Sequence, residues 1–309
     1  MMMIWLFVLL LLPAHSVRIN TWTAQAKSTH GSSILFKRRA MELAAYTPIL
    51  VPMLHVASLY CNDFHKYHVR DLDGLDLFSG EHAITTAAED EGLRVQCYDK
   101  TYFKDESMNF IHGKGFRRAV MLVLRVKDDG CVWAGPECKT WVWIHRYNTG
   151  RSALNPKGNT TNDVMNANKM VVLLATLICV AYLRNVNIFV EQPSSSLLRL
   201  FGPFKLCIEH ILWHSARTWL GCFGAITPKP IDIMSNTPSV YQLKRKRPRH
   251  KLARLGRKNS NGSVTGKKAL PEESSAYPLP FGRAVVKVWK HLMKRSTLHR
   301  VFHGHKFHH

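Results

Sequence analysis

Acidic residues are scarce in this sequence. It has 21 Asp and Glu against 43 Lys and Arg, which gives a formal net charge of +22 and a pI of about 9.9. The deficit is greatest at the C-terminal end, where residues 236–309 carry 18 Lys and Arg but two acids, and the rest of the chain carries a net +6. This imbalance points to a polyanionic partner, either nucleic acid or an anionic membrane surface. A solvated, disordered segment is the alternative interpretation of the same charge.

Paired cysteine motifs and long apolar runs are also missing. The seven cysteines are odd in number and include no Cys-x-x-Cys pair, so we expect neither a disulfide framework nor a metal site. The apolar runs at 4–12 and 170–183 are too short for a membrane span. We therefore expect a buried core helix at 170–183 and no stable span beyond the N-terminal leader. Hydrophobic residues still make up 46% of the chain, which is enough for a packed core.

The N-terminal segment has the features of a targeting sequence. The apolar run at 4–12 is followed by Ala14-His15-Ser16, a small-x-small pattern, which predicts a signal-peptide-like leader over 1–16. Residues 17–68 form a transit-like or linker segment, because 17–41 contain five Lys or Arg, six Ser or Thr and no acid. Secretory entry or a bipartite plastid route follows from this pattern. The alternative is a mis-set start codon and a nuclear protein.

The middle of the chain alternates between short strands and helices. The pattern predicts strands at 72–77, 94–98, 131–134, 188–190, 216–224 and 231–235, a turn at 128–130, and helices at 81–92, 116–126, 162–184 and 284–293. This alternation predicts an α/β fold with a mostly parallel sheet and flanking helices. The predicted domain spans 69–241. A basic disordered linker (242–275), a terminal helix packed on the domain (276–294) and a His-rich tail (295–309) follow it.

Reactive or polar residues follow four of the predicted strands. Ligands in open α/β sheets bind beyond the carboxyl ends of the strands. The sequence DLFSG (76–80) ends the first strand and Asp99 follows the second, which together indicate a nucleoside-bearing cofactor. The third strand is followed by GPEC (135–138), ending in Cys138, and the fourth by Glu191. A thiol and a carboxylate at neighbouring strand ends suit a nucleophile and an acid, although an inert loop thiol and a helix cap are the alternatives.

Aromatic and basic residues surround the cysteine loop. Trp133, Trp141 and Trp143 alternate there, either to stack on a base or to pack in the core. Arg146 and Arg151 follow in the same stretch. We expect them to contact phosphates or to be solvated.

These motifs resemble, in content and in order, those of the DNA cytosine-5 methyltransferases. The segment 76–80 is similar to the first motif of that family, GPEC (135–138) to its Pro-Cys nucleophile loop, and Glu191-Gln192 to its Glu-Asn pair. The resemblance covers about 69–236, with a weaker similarity at 277–289 to the terminal motif that returns to the cofactor pocket.

The resemblance implies a Rossmann-like methyltransferase fold that binds S-adenosylmethionine. The implied cofactor-binding residues are Asp76, Phe78, Ser79, Gly80 and Asp99, with Asp99 on the ribose. Cys138 would add to C6 of a flipped cytosine while Glu191 steadies N3, because neither C5 nor C6 can be reached inside a stacked duplex.

The chain also departs from the family. Glu137 precedes the cysteine in place of proline, and its charge is expected to raise the pKa of the thiol. Gln192 replaces the asparagine, and the segment 214–218 does not match a Gln-x-Arg-x-Arg strand. The alternative function is therefore a catalytically degenerate protein that binds nucleic acid or a partner through its basic tail. The predicted nucleic-acid-binding residues in that tail are Lys244, Arg245, Lys246, Arg247 and Arg249.

Overall fold

The structure is a computed structural model that describes residues 69–101, 106–248, 257–258, 264–265 and 276–304. Its strands are β1 (Leu72–Leu77), β2 (Val95–Tyr98), β3 (Val126–Ala134), β4 (Asn187–Pro193), β5 (His214–Trp219), β6 (Pro230–Ser235), β7 (Arg257–Lys258) and β8 (Val264–Thr265). Its α-helices are α1 (Ala83–Asp90), α2 (Gly113–Arg125), α3 (Arg146–Thr149), α4 (Asn162–Leu183), α5 (Gly202–His210) and α6 (Leu279–Gly304). The predicted leader segments, 1–16 and 17–68, lie outside the described residues.

One mixed sheet organises the fold. Its strand order is β2-β1-β3-β4-β6-β5. The strands β2, β1, β3 and β4 are parallel, and β6 pairs antiparallel with both β4 and β5. Helices cross between the parallel strands and cover both faces, as parallel sheets require. The α/β fold, with a mostly parallel sheet and flanking helices, is therefore confirmed.

The strand order fixes where a ligand is expected to bind. The chain leaves β1 for β2 on one side and returns past β1 to β3 on the other side. The winding therefore reverses between β1 and β3. In open α/β sheets the crevice at the carboxyl ends of the two strands that flank such a reversal is the usual ligand site.

Alternating side chains divide the sheet into two apolar faces. Leu75 and Leu77 of β1 join the core formed with α2, α4 and α5. Trp133 of β3 and Phe189 of β4 join a second core formed with α1 and α6. Asp76 lies on this second face, because its carboxylate accepts a hydrogen bond from Thr85 of α1. The polar residues of the site therefore lie among the side chains that pack on α1 and α6.

Helix α6 returns the C-terminal part of the chain to the sheet. A Cβ atom at Gly282 would lie 2.1 Å from the carbonyl oxygen of Ala83, so only glycine permits this approach of α6 to α1. Trp289 packs directly on β1, where a Cβ atom at Gly74 would lie 2.6 Å from its ring. The helix spans Leu279–Gly304, which is longer than the predicted 284–293.

Helix α4 contains the predicted core helix 170–183. Among the described residues it is the one helix long and apolar enough to cross a membrane by length and composition. However, 67% of its most apolar window is buried inside the fold. A helix that is hydrophobic all round is commonly a core helix, and α4 packs here against β4, α2 and α5.

Some predicted boundaries were wrong. The predicted turn at 128–130 is a bulge inside β3, where the register moves from Leu72 opposite Val126 to Gly74 opposite Cys131. Strand β5 ends at Trp219, and a 3₁₀ helix replaces the rest of the strand predicted to 224. Within the segment predicted as a disordered linker, β7 pairs antiparallel with β8.

Candidate cofactor and active site

The loop after β1 has an unusual backbone. Phe78 and Gly80 both have left-handed φ angles, of 59° and 52°. The backbone N–H of Phe78 donates to the carbonyl of Tyr98 at the end of β2, at 2.7 Å. A Cβ atom at Gly80 would meet nothing within 4 Å, so the backbone of this residue borders open space. Left-handed non-glycine residues such as Phe78 cluster at ligand sites, where the surrounding structure holds the strain.

Asp99 joins the ends of β1 and β2. Its carboxylate accepts the backbone N–H of Gly80 at 3.2 Å, and the backbone N–H and hydroxyl of Thr101 at 2.9 and 2.8 Å. A carboxylate has about four acceptor positions, so three protein donors leave capacity for one more. The position and remaining capacity fit one hydroxyl of a ribose.

Two buried oxygen atoms at the end of β1 have no partner. Asp76 is 1% exposed, and its Oδ2 accepts the hydroxyl of Thr85 at 2.9 Å while Oδ1 has no hydrogen bond. The hydroxyl of Ser79, 3% exposed, is also without a partner. Burial raises the pKa of Asp76 to about 7. Because buried polar atoms are almost always hydrogen-bonded, these two oxygens fit a polar ligand at this edge.

The cysteine loop is attached to the strands on both sides of it. The backbone N–H of Gly135 donates to the carbonyl of Leu77 at 3.2 Å, which joins the loop to β1. The side-chain amide of Gln192 donates to the carbonyl of Pro136 at 2.9 Å, which joins the loop to β4. The carbonyl of Cys138 then accepts the backbone N–H of Trp141, which closes a turn. The loops after β1 and β3 therefore lie side by side.

Cys138 is held in its thiol form. Burial raises the pKa of Cys138 to about 11, with a smaller rise from the Glu191 carboxylate and an opposing effect of Lys229. Glu137 makes the smallest contribution. Its carboxylate is exposed and pairs with Lys100 at 3.2 Å. The expected direction of the pKa shift is thus present, but burial and Glu191, more than Glu137, cause it.

Glu191 lies inside β4 instead of following it. It is 6% exposed, its Oε2 accepts the hydroxyl of Tyr277 at 2.6 Å, and its Oε1 has no hydrogen bond. Burial raises the pKa of Glu191, while Lys229 and the Tyr277 hydroxyl oppose the rise. The electrostatic effect of Glu191 on the Cys138 pKa shows that the fold brings these two predicted site residues together.

Two residues of the site were not singled out from the sequence. Tyr277 precedes α6, and its hydroxyl lies so close to β3 that a Cβ atom at Gly135 would be 2.6 Å away. Lys229 lies in the turn before β6 and acts electrostatically on both Cys138 and Glu191. Tyr277 belongs to the segment that is similar to a terminal motif, which was a signal for it. The Pro-Lys-Pro turn gave no comparable signal for Lys229.

The predicted base-stacking and phosphate-binding residues separate into two groups. Trp133 and Trp141 are fully buried and belong to the core, whereas Trp143 is 46% exposed. Arg151 is 1% exposed, lies 3.4 Å from the centre of the Trp141 ring and donates to Asn168, and burial lowers its pKa to about 10. Both interpretations of Arg151, as a phosphate ligand and as a solvated residue, were therefore wrong.

The basic segment, which we define as residues 244–258, begins at the far edge of the sheet. Lys244, Arg245, Lys246 and Arg247 are exposed, and Arg249 lies outside the described residues. The guanidinium of Arg245 lies 5.3 Å from the ring of Phe223, and that of Arg247 lies 5.6 Å from the ring of Trp219 in β5. Strands β4 and β6 separate β5 from β3. The described start of the segment is thus on a different part of the surface from Cys138.

No protein-family model matches this chain, and no curated protein matches its sequence. In the part of the chain that the structure describes, no three His, Cys, Asp or Glu side chains are grouped so that they could hold a metal ion.

Proposed function

We propose that this chain is a methyltransferase-like protein with a Rossmann-like fold that binds S-adenosylmethionine and acts on nucleic acid. The observation that carries the proposal is the convergence of three loops at the reversal of the sheet. The loop after β1 is bonded to Asp99 after β2, and the cysteine loop after β3 is bonded to Leu77 of β1. This is the position at which open α/β sheets bind nucleotides and related ligands.

The residues at this edge fit the cofactor. Gly80 leaves its backbone accessible, and Asp99 retains capacity for a ribose hydroxyl. Asp76 Oδ1 and Ser79 Oγ are buried and without partners in the protein. The Asp76 oxygen would accept a hydrogen bond from the bound molecule, and the Ser79 hydroxyl would donate or accept one. When bound, S-adenosylmethionine supplies a methyl group that can be transferred to a nucleophile.

Cys138 and Glu191 would act on the substrate base. The Cys138 thiol would give up its proton to solvent, and its sulfur would form a bond to C6 of an extruded cytosine while the C5–C6 double bond opens and C5 becomes nucleophilic, with Glu191 at the ring nitrogen N3. Once C5 carries the methyl group, C5 would lose its proton and the bond between C6 and sulfur would break, which restores the double bond and releases the base. Tyr277 would hold Glu191 by its 2.6 Å hydrogen bond, so that the unpartnered Oε1 remains available.

A specific observation favours a second candidate, a catalytically silent nucleic-acid-binding protein. With a pKa of about 11, roughly one Cys138 side chain in ten thousand is a thiolate at pH 7. The thiolate is the attacking form. A protein of this kind would retain the cofactor site and bind nucleic acid through its basic segment.

Isothermal titration calorimetry tests cofactor binding on the full chain. We expect saturable binding that Ser79→Ala weakens about 2- to 13-fold, the range for one lost hydrogen bond. Because the Ser79 hydroxyl has no protein partner, this variant should not lower the free energy of unfolding. Asp99→Ala should weaken binding about 13- to 150-fold, the range for a charged acceptor. Glu89→Ala, on the exposed side of α1, is the matched control. No heat at millimolar cofactor would refute the proposal.

A mechanism-based probe separates the two candidates. Oligonucleotides that contain 5-fluorocytosine, mixed with protein and S-adenosylmethionine, should give a denaturation-stable adduct if Cys138 attacks the base. The adduct should disappear in Cys138→Ser. Cofactor binding without any adduct would support the silent protein.

Deletion of 244–258 tests the contribution of the basic segment. The segment contains nine Lys and Arg and no acid, so its binding to phosphates should make nucleic-acid affinity fall steeply with salt. On duplex DNA, the deletion should reduce the slope of log affinity against log salt by about 0.9 for each phosphate that the protein no longer neutralises. An unchanged slope would mean that the segment does not bind nucleic acid.

A further inference from the structure

An exposed apolar surface follows the cysteine loop, and the core does not account for it. Trp143, Ile144, Tyr147 and Leu154 are 46%, 52%, 96% and 100% exposed. Single exposed apolar residues are common, but four large ones within twelve positions of one segment are not. We call the side chains of the two aromatic residues Trp143 and Tyr147, together with Ile144 between them, the aromatic surface.

The segment that carries the aromatic surface is fixed at both ends. Before it, the Trp141 side chain is buried, and Val142 forms a β-bridge with Ser196. After it, Thr149 is buried and the guanidinium of Arg151 donates to the carbonyl of Pro156 at 2.5 Å. The residues between these anchors are therefore held outward by the fold.

The spacing of the exposed residues places them side by side. Trp143–His145 form a 3₁₀ turn that continues into α3. Arg146 and Tyr147 lie three and four positions after Trp143, and this spacing puts the three residues on one face of such a helix. The guanidinium of Arg146 lies 5.5 Å from the centre of the Trp143 ring.

The charge around this surface indicates the partner. Residues 138–162 contain four Lys and Arg, of which Arg151 is buried, and no acid, and the exposed Glu137 and Asp163 border this segment. Aromatic rings together with exposed cations are the combination that binds unpaired nucleic acid, because the rings stack on bases and the cations approach phosphates. The turn closed by the Cys138 carbonyl ends at Val142, directly before Trp143. The aromatic surface thus adjoins the candidate active site.

We propose that Trp143, Arg146 and Tyr147 form a stacking surface for unpaired bases, so that the substrate is single-stranded or locally unpaired nucleic acid. The link to catalysis at Cys138 rests on the proposed function, whereas binding by this surface can be measured without it. A single strand presents its bases to the rings directly, while a paired duplex keeps its bases stacked inside. The surface therefore favours a single strand over the same sequence as a duplex.

Fluorescence anisotropy with labelled oligonucleotides tests this proposal on the full chain. At about 0.2 M salt, binding to phosphates along the basic segment is weakened and stacking contributes more of the affinity. Trp143→Ala and Tyr147→Ala should each weaken binding of a single strand about 5- to 150-fold, the range for loss of one base stack. Leu154→Ala, which removes an exposed apolar side chain without a ring, is the matched control.

An abasic strand of the same length is the second probe, because it keeps the phosphates and lacks the bases. Trp143→Ala should leave its affinity unchanged. An equal loss for the abasic and the normal strand, or no loss for either, would overturn the proposal. Binding of anionic lipid vesicles that depends on Trp143, without any effect on the single strand, would also overturn it in favour of a membrane surface.

Cofactor calorimetry on the same variants separates this proposal from the proposed function. Trp143→Ala should bind S-adenosylmethionine as the unchanged protein does. Strand binding that depends on Trp143 in a protein with no cofactor affinity would support the stacking surface and refute the methyltransferase-like function.

Discussion

Asp76 should destabilise the folded protein at neutral and alkaline pH. Its carboxylate is buried at the end of β1, with one hydrogen bond to Thr85 and one oxygen without a partner. Burial raises its pKa from 3.8 to about 7. Asp76→Asn keeps the shape and an acceptor for Thr85 and removes the charge, so we expect this variant to be more stable than the unchanged protein.

The pH dependence of this gain follows from proton linkage. Between pH 3.8 and 7 the folded state binds more protons at Asp76 than the unfolded state does, so the free energy of unfolding falls as the pH rises. Each pH unit in this window contributes about 1.4 kcal/mol. The gain in unfolding free energy for Asp76→Asn should thus be near zero at pH 4 and should level off above pH 7. There it should reach about 4 kcal/mol, which corresponds to the whole pKa shift from 3.8 to about 7.

Urea unfolding of both proteins at intervals from pH 4 to pH 8 measures this difference, in which the other titrating groups cancel. Glu89→Gln, an exposed residue of α1, should give a difference near zero at every pH. A difference for Asp76→Asn that does not depend on pH, or a loss of stability at pH 8, would refute the reasoning. The same variant should bind S-adenosylmethionine more weakly, because a carboxylate kept at an energetic cost in a cleft is typical of a functional site.

Two other substitutions test the structure around the site. Alkylation of Cys138, followed by mass spectrometry, should become about tenfold faster per pH unit up to a midpoint near pH 11, and Glu191→Gln should lower that midpoint more than Glu137→Gln does. A larger effect of Glu137→Gln would contradict the arrangement in which its carboxylate pairs with a lysine. Gly282→Ala should cost about 1 to 3 kcal/mol of unfolding free energy by forcing α6 away from α1, whereas Gly113→Ala, which meets no atom within 4 Å, should be neutral or stabilising by up to about 1 kcal/mol. Equal urea midpoints for the two variants would show that α1 and α6 do not pack closely.

Much of the fold could be predicted from the sequence because its signals are local. Strand β1 was predicted at its observed bounds, and the apolar run at 170–183 lies within α4. Alternation of short apolar strands with longer helices predicted the parallel sheet, and the strand order then placed 76–80 and Cys138 at neighbouring strand ends. The hydrophobic periods of two residues in a strand and 3.6 residues in a helix are visible within a short stretch of sequence, so no distant contact is needed to recognise them.

The chemistry of the candidate site was decided by contacts between distant parts of the chain. Glu137 lies next to Cys138 in sequence, but Lys100, 37 positions away, pairs with its carboxylate. Glu191 receives its hydrogen bond from Tyr277, 86 positions away. A side chain's charge state depends on its burial and its neighbours in space, and neither is fixed by adjacent residues. The sequence therefore determined which reactive groups stand at or near the strand ends, whereas the tertiary structure placed Glu191 inside β4 and decided which of these groups are buried, paired or exposed.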